Sequence, residues 1–412
     1  MANSTQGKKL SVAVQTAFNT PNTTSMVDVH LEGNPSVETP VGTGVKPDTM
    51  GANPFYNNKD IVNNQASDSA VVCTSLIRQP RTAGNDSFAK MAFEAGGYSV
   101  DSISTDTTVG ASPTLGVIPA VSSTGMVAGM GVNLSLEDGS YMPILIGSMS
   151  TNDIIPTMEI PSVTDQTNDI NKALTITPNV MTQVPNDKLL TMVYGTNVGT
   201  VQAQDCALTS IGDLVFNANE KQMLEYTFGA SDKTRGDVAT THGNTFADGD
   251  EALVTYQPWC QIADSSTNYG TALTANYNKL ISATITLGIT AEQIAGFGDA
   301  NCKNNIQGWM QKGVPVKIAL DMLYDSDKLD DFDGTNDDKY LAIIQPGQSG
   351  DDPSIGFFAP VAHQDVAPTV DFIGNNEVRV QVTYTVNPSA MAGTTDADLG
   401  NQPWYLVIGD QS

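Results

Sequence analysis

Few residues in this chain are spaced for chemistry. Its three histidines, His30, His242 and His363, sit in separate regions beside loop-forming residues. No HExxH places two of them on one helix face, so a histidine metal centre would need three distant loops to converge. Neither GxSxG nor GxxxxGK[ST] occurs, which removes the nucleophile elbow and the phosphate loop. Carboxylates are plentiful, but glycoside hydrolysis needs two of them at a set separation, about 5–9.5 Å. Nothing in the sequence singles out such a pair.

One acidic stretch has ligand-like spacing. Between Asp325 and Asp338, the residues Asp331, Asp333, Thr335 and Asp337 alternate around Gly334. Hard oxygen ligands in a glycine-containing loop suit calcium, which here would be structural rather than catalytic. The EF-hand spacing that ends in Glu is missing, and a solvated acidic loop is the alternative. No other metal site or cofactor is expected. The four cysteines, Cys73, Cys206, Cys260 and Cys302, are far apart with no CxxC pair. They read as buried free thiols.

Composition narrows the partners. Asp and Glu number 45 against 19 Lys and Arg, a formal net charge of −26. That field repels nucleic acid and anionic membranes, so a specific DNA reader is not expected. A surface past which DNA slides without sticking has the same sign of charge. No run of 18 apolar residues predicts a membrane span. Residues 1–18 lack the unbroken apolar core of a signal peptide, so folding in the cytoplasm is expected. Only 16% of residues are charged while 40% are hydrophobic. The surface must therefore be built largely from Asn, Thr, Ser and Gln, as on faces that lie against other proteins.

The elements that would position these residues are mostly strands. Residues 1–58 are rich in Pro, Gly and Asn; short apolar pieces such as Met26–Val29 could each form a strand, or the segment is an extended arm that orders against a neighbouring subunit, with a frayed terminus as the alternative. Residues 59–187 predict an additional, smaller β-rich α+β domain. It opens with a strand at Ala70–Ile77 and a helix near 86–95. Asn85 or Asp86 would cap that helix, Phe88, Met91 and Ala92 share a face, and Gly96-Gly97 stop it. Val132, Leu134 and Leu136 alternate with Asn133, Ser135 and Glu137, the period of a half-buried strand. In residues 188–412, strands are predicted at Leu189–Tyr194, Gly199–Gly212, Leu224–Gly229, Glu251–Tyr256, Lys279–Gly288, Val314–Leu320, Tyr340–Ile344 and Trp404–Ile408. Ser231–Gly236 reads as a turn or loop. The clearest strand is Glu377–Val386, where Val378, Val380, Val382, Tyr384 and Val386 face one way over ~33 Å. Strands of that length suit a barrel or a sheet shared between subunits.

The stretch from Tyr194 to Gly229 resembles the central hairpin region of the tail tube proteins of long-tailed bacteriophages. A strand of Gly and small residues, Gly199 to Leu208, precedes a polar turn. An apolar strand ending in an aromatic and Gly follows, Leu224 to Gly229. The run Leu280 to Gly288, a helix or loop around Ile306–Met310, and the strand Val314 to Leu320 fit the same order. The resemblance covers mainly residues 190–390.

It implies a β-sandwich or barrel with a flanking short helix, and subunits that form hexameric rings stacking into a hollow tube. DNA would pass through that tube without specific binding, and the partners would be copies of the chain and other tail proteins. The site would be the virion tail, after assembly in the host cytoplasm. In this reading Leu224, Tyr226 and Phe228 pack the hairpin against an outer sheet, while Asp205, Glu220 and Glu225 face the lumen. No enzymatic role is expected. Alternatives are another phage structural component (capsid decoration, neck or fibre), a surface adhesin, or a polysaccharide-active enzyme on a β scaffold.

Overall fold

A computed structural model describes residues 9–24, 26–29, 31, 36–37, 44–47, 60–63, 69–76, 87–103, 105–161, 169–178, 188–196, 199–217, 222–236, 258–264, 271–274, 276–295, 306–312, 315–323, 338–347, 354–373, 377–386 and 402–409. The fold is mostly β, built around a closed six-stranded barrel. Its strands are Trp259–Asp264, Asn276–Thr286, Val316–Leu323, Asp338–Gln345, Ile355–Gln364 and Glu377–Val386. Each is antiparallel to its neighbours, and Glu377–Val386 closes the ring by pairing with both Val316–Leu323 and Ile355–Gln364. Closure leaves no free edge along the paired segments.

Alternation decides what fills the barrel. Val380, Val382, Tyr384 and Val386 are all buried, while Gln381 is exposed between them. Ile318 and Leu320 point inward beside Ala283 and Ile285, and Lys317 and Ala319 point out. A barrel this narrow is filled by side chains and has no bore of its own.

One wall is covered by the chain itself. Tyr405–Gly409 pairs with Ile355–Gln364 and carries the sheet on through Asp169–Thr177, Gly131–Ser135, Tyr141–Ser150, Asp153–Pro156 and Ile118–Pro119. This layer buries Val132, Leu134, Ile144 and Ile146 against Tyr340, Ala342, Ile344 and Phe358 on the barrel's outer side. Gly131–Ser135 is therefore buried on both faces, not half-buried as its alternation predicts. Asn133 is 0% exposed and its Oδ1 accepts from Ser354 Oγ at 2.6 Å. Gly131 is required there: a Cβ would lie 2.5 Å from a Val407 methyl.

A second sheet runs in the order Val27–Val29, Lys9–Val14, Leu190–Thr196, Gly199–Ile211, Met223–Ala230, Ser69–Leu76, Ser36–Val37. The helix Phe88–Ala95, the one helix among the described residues, lies on it. Phe88 meets Tyr226 edge-on at 5.0 Å, and Phe93 meets Tyr98 at 5.6 Å. The cap is Ser87, whose Oγ accepts from Lys90 N, rather than Asn85 or Asp86. Ser87 has the extended backbone a cap needs and sits three residues before the N–H it satisfies.

Three further expectations are corrected. Residues 1–58 are not wholly an arm for a neighbour: Lys9–Val14 pairs along its length with Leu190–Thr196 of the same chain, burying Leu10 and Val12. The division at 187/188 is crossed by pairing of Ser69–Leu76 with Met223–Ala230 and of Asp169–Thr177 with Tyr405–Gly409. Composition marks linkers, but these antiparallel partners lie more than a hundred residues apart in sequence. Lastly, Asp232–Gly236 and Ile306–Lys312 are strands, paired with Gly199–Ile211 and Thr290–Ala295 respectively. The predicted strand Glu251–Tyr256 lies outside the described residues.

Candidate functional site

Asp205 does not face water. The register of Gly199–Ile211 against Leu190–Thr196 shifts between Leu190 and Met192, opposite Ala203–Cys206. Asp205 sits in this irregularity with φ 51°, the left-handed region that Asn and Asp enter more readily than other residues with a Cβ. The bulge turns its carboxylate into the protein, where it is 0% exposed. Oδ1 accepts from Gln15 Nε2 at 3.0 Å and from the Asn19 backbone N–H at 2.8 Å, and Oδ2 accepts from Ser231 Oγ. Its own N–H donates to Gln15 Oε1 at 2.5 Å, and its carbonyl accepts from Trp309 Nε1 at 3.1 Å. The node ties the N-terminal segment, two strands and the 306–312 strand together. It is a structural fastening, and the expectation of a lumen-facing Asp205 is withdrawn.

Leu224, Tyr226 and Phe228 are 1%, 0% and 0% exposed and lie in the core beneath the helix. Glu225 alternates with them and is exposed, beside the half-buried Thr227 and the exposed Met223. Glu220 lies outside the described residues. Glu225 stands opposite Thr74, next to the buried Cys73. Burial, with the Glu225 carboxylate adding to it, pushes the Cys73 thiol up to about 12. Burial and the neighbouring Asp205 push Cys206 up further. Cys260 donates to Met322 Sδ at 3.3 Å. All three are free thiols, and Cys302 lies outside the described residues.

The calcium candidates Asp331, Asp333, Thr335 and Asp337, with His30 and His242, also lie outside the described residues. His363 pairs with Asp338 at 3.2 Å, both side chains being 44% exposed. Among the described residues no three His, Cys, Asp or Glu side chains cluster as metal ligands, and no helix is long and apolar enough to cross a membrane.

Two surfaces stand out, the first by its small and hydroxyl side chains and the second by its lack of charge. The first is the barrel wall opposite the covered one. Leu214–Asn217 extends it beside Asn276–Thr286, and Thr369–Ile373 extends it beside Glu377–Val386. Across these strands the outward rows run Val215, Thr284, Ala319, Thr383 and then Asn217, Ser282, Asp321, Gln381, Thr369. Asp321 receives both Nε and Nη2 of Arg379, which neutralises it. Against the wall a cleft of about 350 Å³ is lined by Ser282, Thr284, Ala319, Gln381 and Thr383, and closed on one side by Val366 and Ala367. Val215, Val366 and Val370 are 37%, 64% and 44% exposed.

The second surface is the outer part of the covering layer. Residues 107–136 contain no Asp, Glu, Lys, Arg or His, in a chain that is 16% charged. Within this run Leu115, Val117, Val121 and Val127 are 48%, 36%, 65% and 49% exposed. The run is visible in the sequence as a gap between charges, a signal that motif spacing does not capture. The wall is not visible in this way, because its rows come from five separated strands. The chain matches no protein-family model and no curated protein.

Proposed function

We propose that the chain is a structural protein that assembles with copies of itself, as a tail tube subunit of a long-tailed phage forming hexameric rings stacked into a tube. The observation that carries this reading is the barrel's asymmetry. One wall is covered by the chain's own layer, while the opposite wall presents Thr, Ser and Ala in register around the paired Asp321 and Arg379, with Asp365 and Asp371 at its margin, and the run 107–136 on the covering layer carries no charge. On a molecule of net charge −26, faces without net negative charge are where two copies approach at least electrostatic cost. Small β-branched and hydroxyl side chains also lose little rotamer freedom on contact. The filled barrel leaves no room for DNA inside one subunit, so a bore would have to lie between subunits. Glu225, exposed on Met223–Ala230, remains the candidate for facing it.

Sedimentation and negative-stain electron microscopy of the purified chain test this. The expected result is rings or tubes, favoured by added salt, because salt screens repulsion between like-charged copies. A monomer at every concentration and ionic strength would overturn it.

A further inference from the structure

We infer that the uncharged segment 107–130 of one copy docks, head to tail, on the bare barrel wall of the next, the wall that no other layer among the described residues covers. The inference rests on the self-assembly reading above and assigns its two surfaces. The first argument is position. The covering layer packs on the side formed by Trp259–Asp264, Asp338–Gln345 and Ile355–Gln364, as Trp259, Tyr340, Ala342, Ile344 and Phe358 show. The bare wall is the other half of the closed ring, Asn276–Thr286, Val316–Leu323 and Glu377–Val386. The two surfaces therefore lie on opposite sides of one barrel. A patch that meets a different patch on an identical copy is a heterologous contact, which generates rings or filaments rather than closed two-fold dimers.

The second argument is charge. A stretch as long as 107–136 would carry about five charged residues at the chain's average of 16%, and it carries none. The wall carries Lys317 and the Asp321–Arg379 pair, with the exposed Asp371 opposite Arg379 and Asp365 accepting from Thr385 at its margin; a partner segment that brings no charge of its own therefore sets no like charge against these carboxylates. Contact between this uncharged segment and the wall brings no two carboxylates together, whereas carboxylate-bearing faces of a −26 chain meeting each other would.

The third argument is shape and polarity. Val121 and Val127 stand 65% and 49% exposed in the bend-and-turn stretch 121–130 of the layer. The wall offers a cleft of about 350 Å³ lined by the apolar Val366 and Ala367, by the hydroxyls of Ser282, Thr284 and Thr383, and by Asp321, which is paired with Arg379. Exposed valines entering a cleft of this kind, with Ser and Thr hydroxyls free to meet main-chain groups of the turns, make an apolar centre with polar surroundings.

Complementation tests the assignment. A layer variant carries Val121→Asp and Val127→Asp, and a wall variant carries Thr284→Asp and Thr383→Asp. Each keeps one surface intact. Sedimentation velocity should find each variant monomeric alone under conditions where the unaltered chain assembles. An equimolar mixture should form a one-to-one dimer and nothing larger, because the single productive contact has no continuation. Assembly of either variant like the unaltered chain, or a mixture that stays monomeric, overturns the assignment while leaving self-assembly standing. An unaltered chain that never assembles defeats the underlying reading instead. Should a variant lose its circular dichroism signal, chains bearing Val121→Cys and Thr383→Cys are mixed and oxidised. A disulfide joining those two positions supports the contact, and its absence counts against it.

Discussion

The indole ring of Trp309 occupies the space that a side chain on Gly229 would need: a Cβ there would lie 2.3 Å from the ring's Cη2. Gly229 belongs to Met223–Ala230, and Trp309 to the hairpin of Thr290–Ala295 with Ile306–Lys312. Trp309 is 1% exposed, so the ring cannot swing into water. Gly229→Ala should destabilise the protein by about 1–3 kcal/mol through overpacking. In a Trp309→Phe background, where the ring is shorter, the same change should cost less. Urea denaturation of the four-member cycle measures the coupling, and strictly additive costs would refute the contact as the cause.

Asp205 should be the most sensitive polar position in the second sheet. Asp205→Ala removes the acceptor for Gln15, the Asn19 N–H and Ser231, each a buried or part-buried donor. An unsatisfied buried donor costs about 1–3 kcal/mol, and Gln15 Nε2 keeps the carbonyls of Ala17 and Thr20 as acceptors, so a loss of about 1–3 kcal/mol is expected. Asp205→Asn keeps a residue that tolerates φ 51° and retains one acceptor oxygen, and should cost less. Hydrogen exchange at the Asn19 amide should accelerate in both. Equal stability of the Ala variant and the unaltered protein would show that the node fastens nothing.

How much of this was legible in the sequence depends on how many faces each strand buries. Glu377–Val386 was readable to the residue because one face points into the barrel and the other outward. Ile355–Gln364 was not, because Phe357 fills the barrel and adjacent Phe358 fills the covering layer, so both faces are apolar and nothing alternates. The helix was legible from its apolar face and its Gly96-Gly97 stop, though its cap was misplaced. The candidate lumen residues illustrate the limit. Glu225 follows strand alternation, but Asp205 is turned inward by a bulge at a residue that is not glycine, and period-two reasoning assumes no bulge. Pairings such as Lys9–Val14 with Leu190–Thr196 leave no local trace at all.

On the bare wall, the Asp321–Arg379 pair should be sensitive to losing one partner alone. The two side chains are 10% and 35% exposed, so the pair is screened on the arginine side. Arg379→Leu leaves the Asp321 carboxylate nearly buried and unpaired. Removing one partner of a fully buried pair costs about 3–5 kcal/mol, and partial exposure should reduce this to roughly 1–2 kcal/mol. Adding Asp321→Leu should recover part of the loss, since no lone charge remains. Thermal denaturation of the two single variants and the double variant measures this. A double variant less stable than Arg379→Leu would contradict the argument.

Alkaline pH should destabilise the protein through groups that are neutral when protonated. Cys73 has an ordinary value of 9.0 and is pushed up to about 12, chiefly by burial and then by Glu225. Cys206 and Tyr226 are raised in the same direction, again chiefly by burial. Below pH 9 these groups hold their protons in both folded and unfolded chains, so their contribution is full and constant. As pH rises past 9 the unfolded chain releases the thiol protons while the folded chain keeps them. Stability therefore falls with pH, by up to about 1.4 kcal/mol per unit for each such group, until the folded value is passed. The urea midpoint should stay level from pH 7 to 8.5 and then drop toward pH 11. Cys73→Ala removes one of the three groups, and its midpoint should start lower from the lost packing but decline less steeply. Thiol reagents at pH 8 should label none of Cys73, Cys206 and Cys260 in the folded protein and all three in urea. If the unaltered protein and Cys73→Ala declined with identical slopes, the buried Cys73 thiol would not be a source of the alkaline loss.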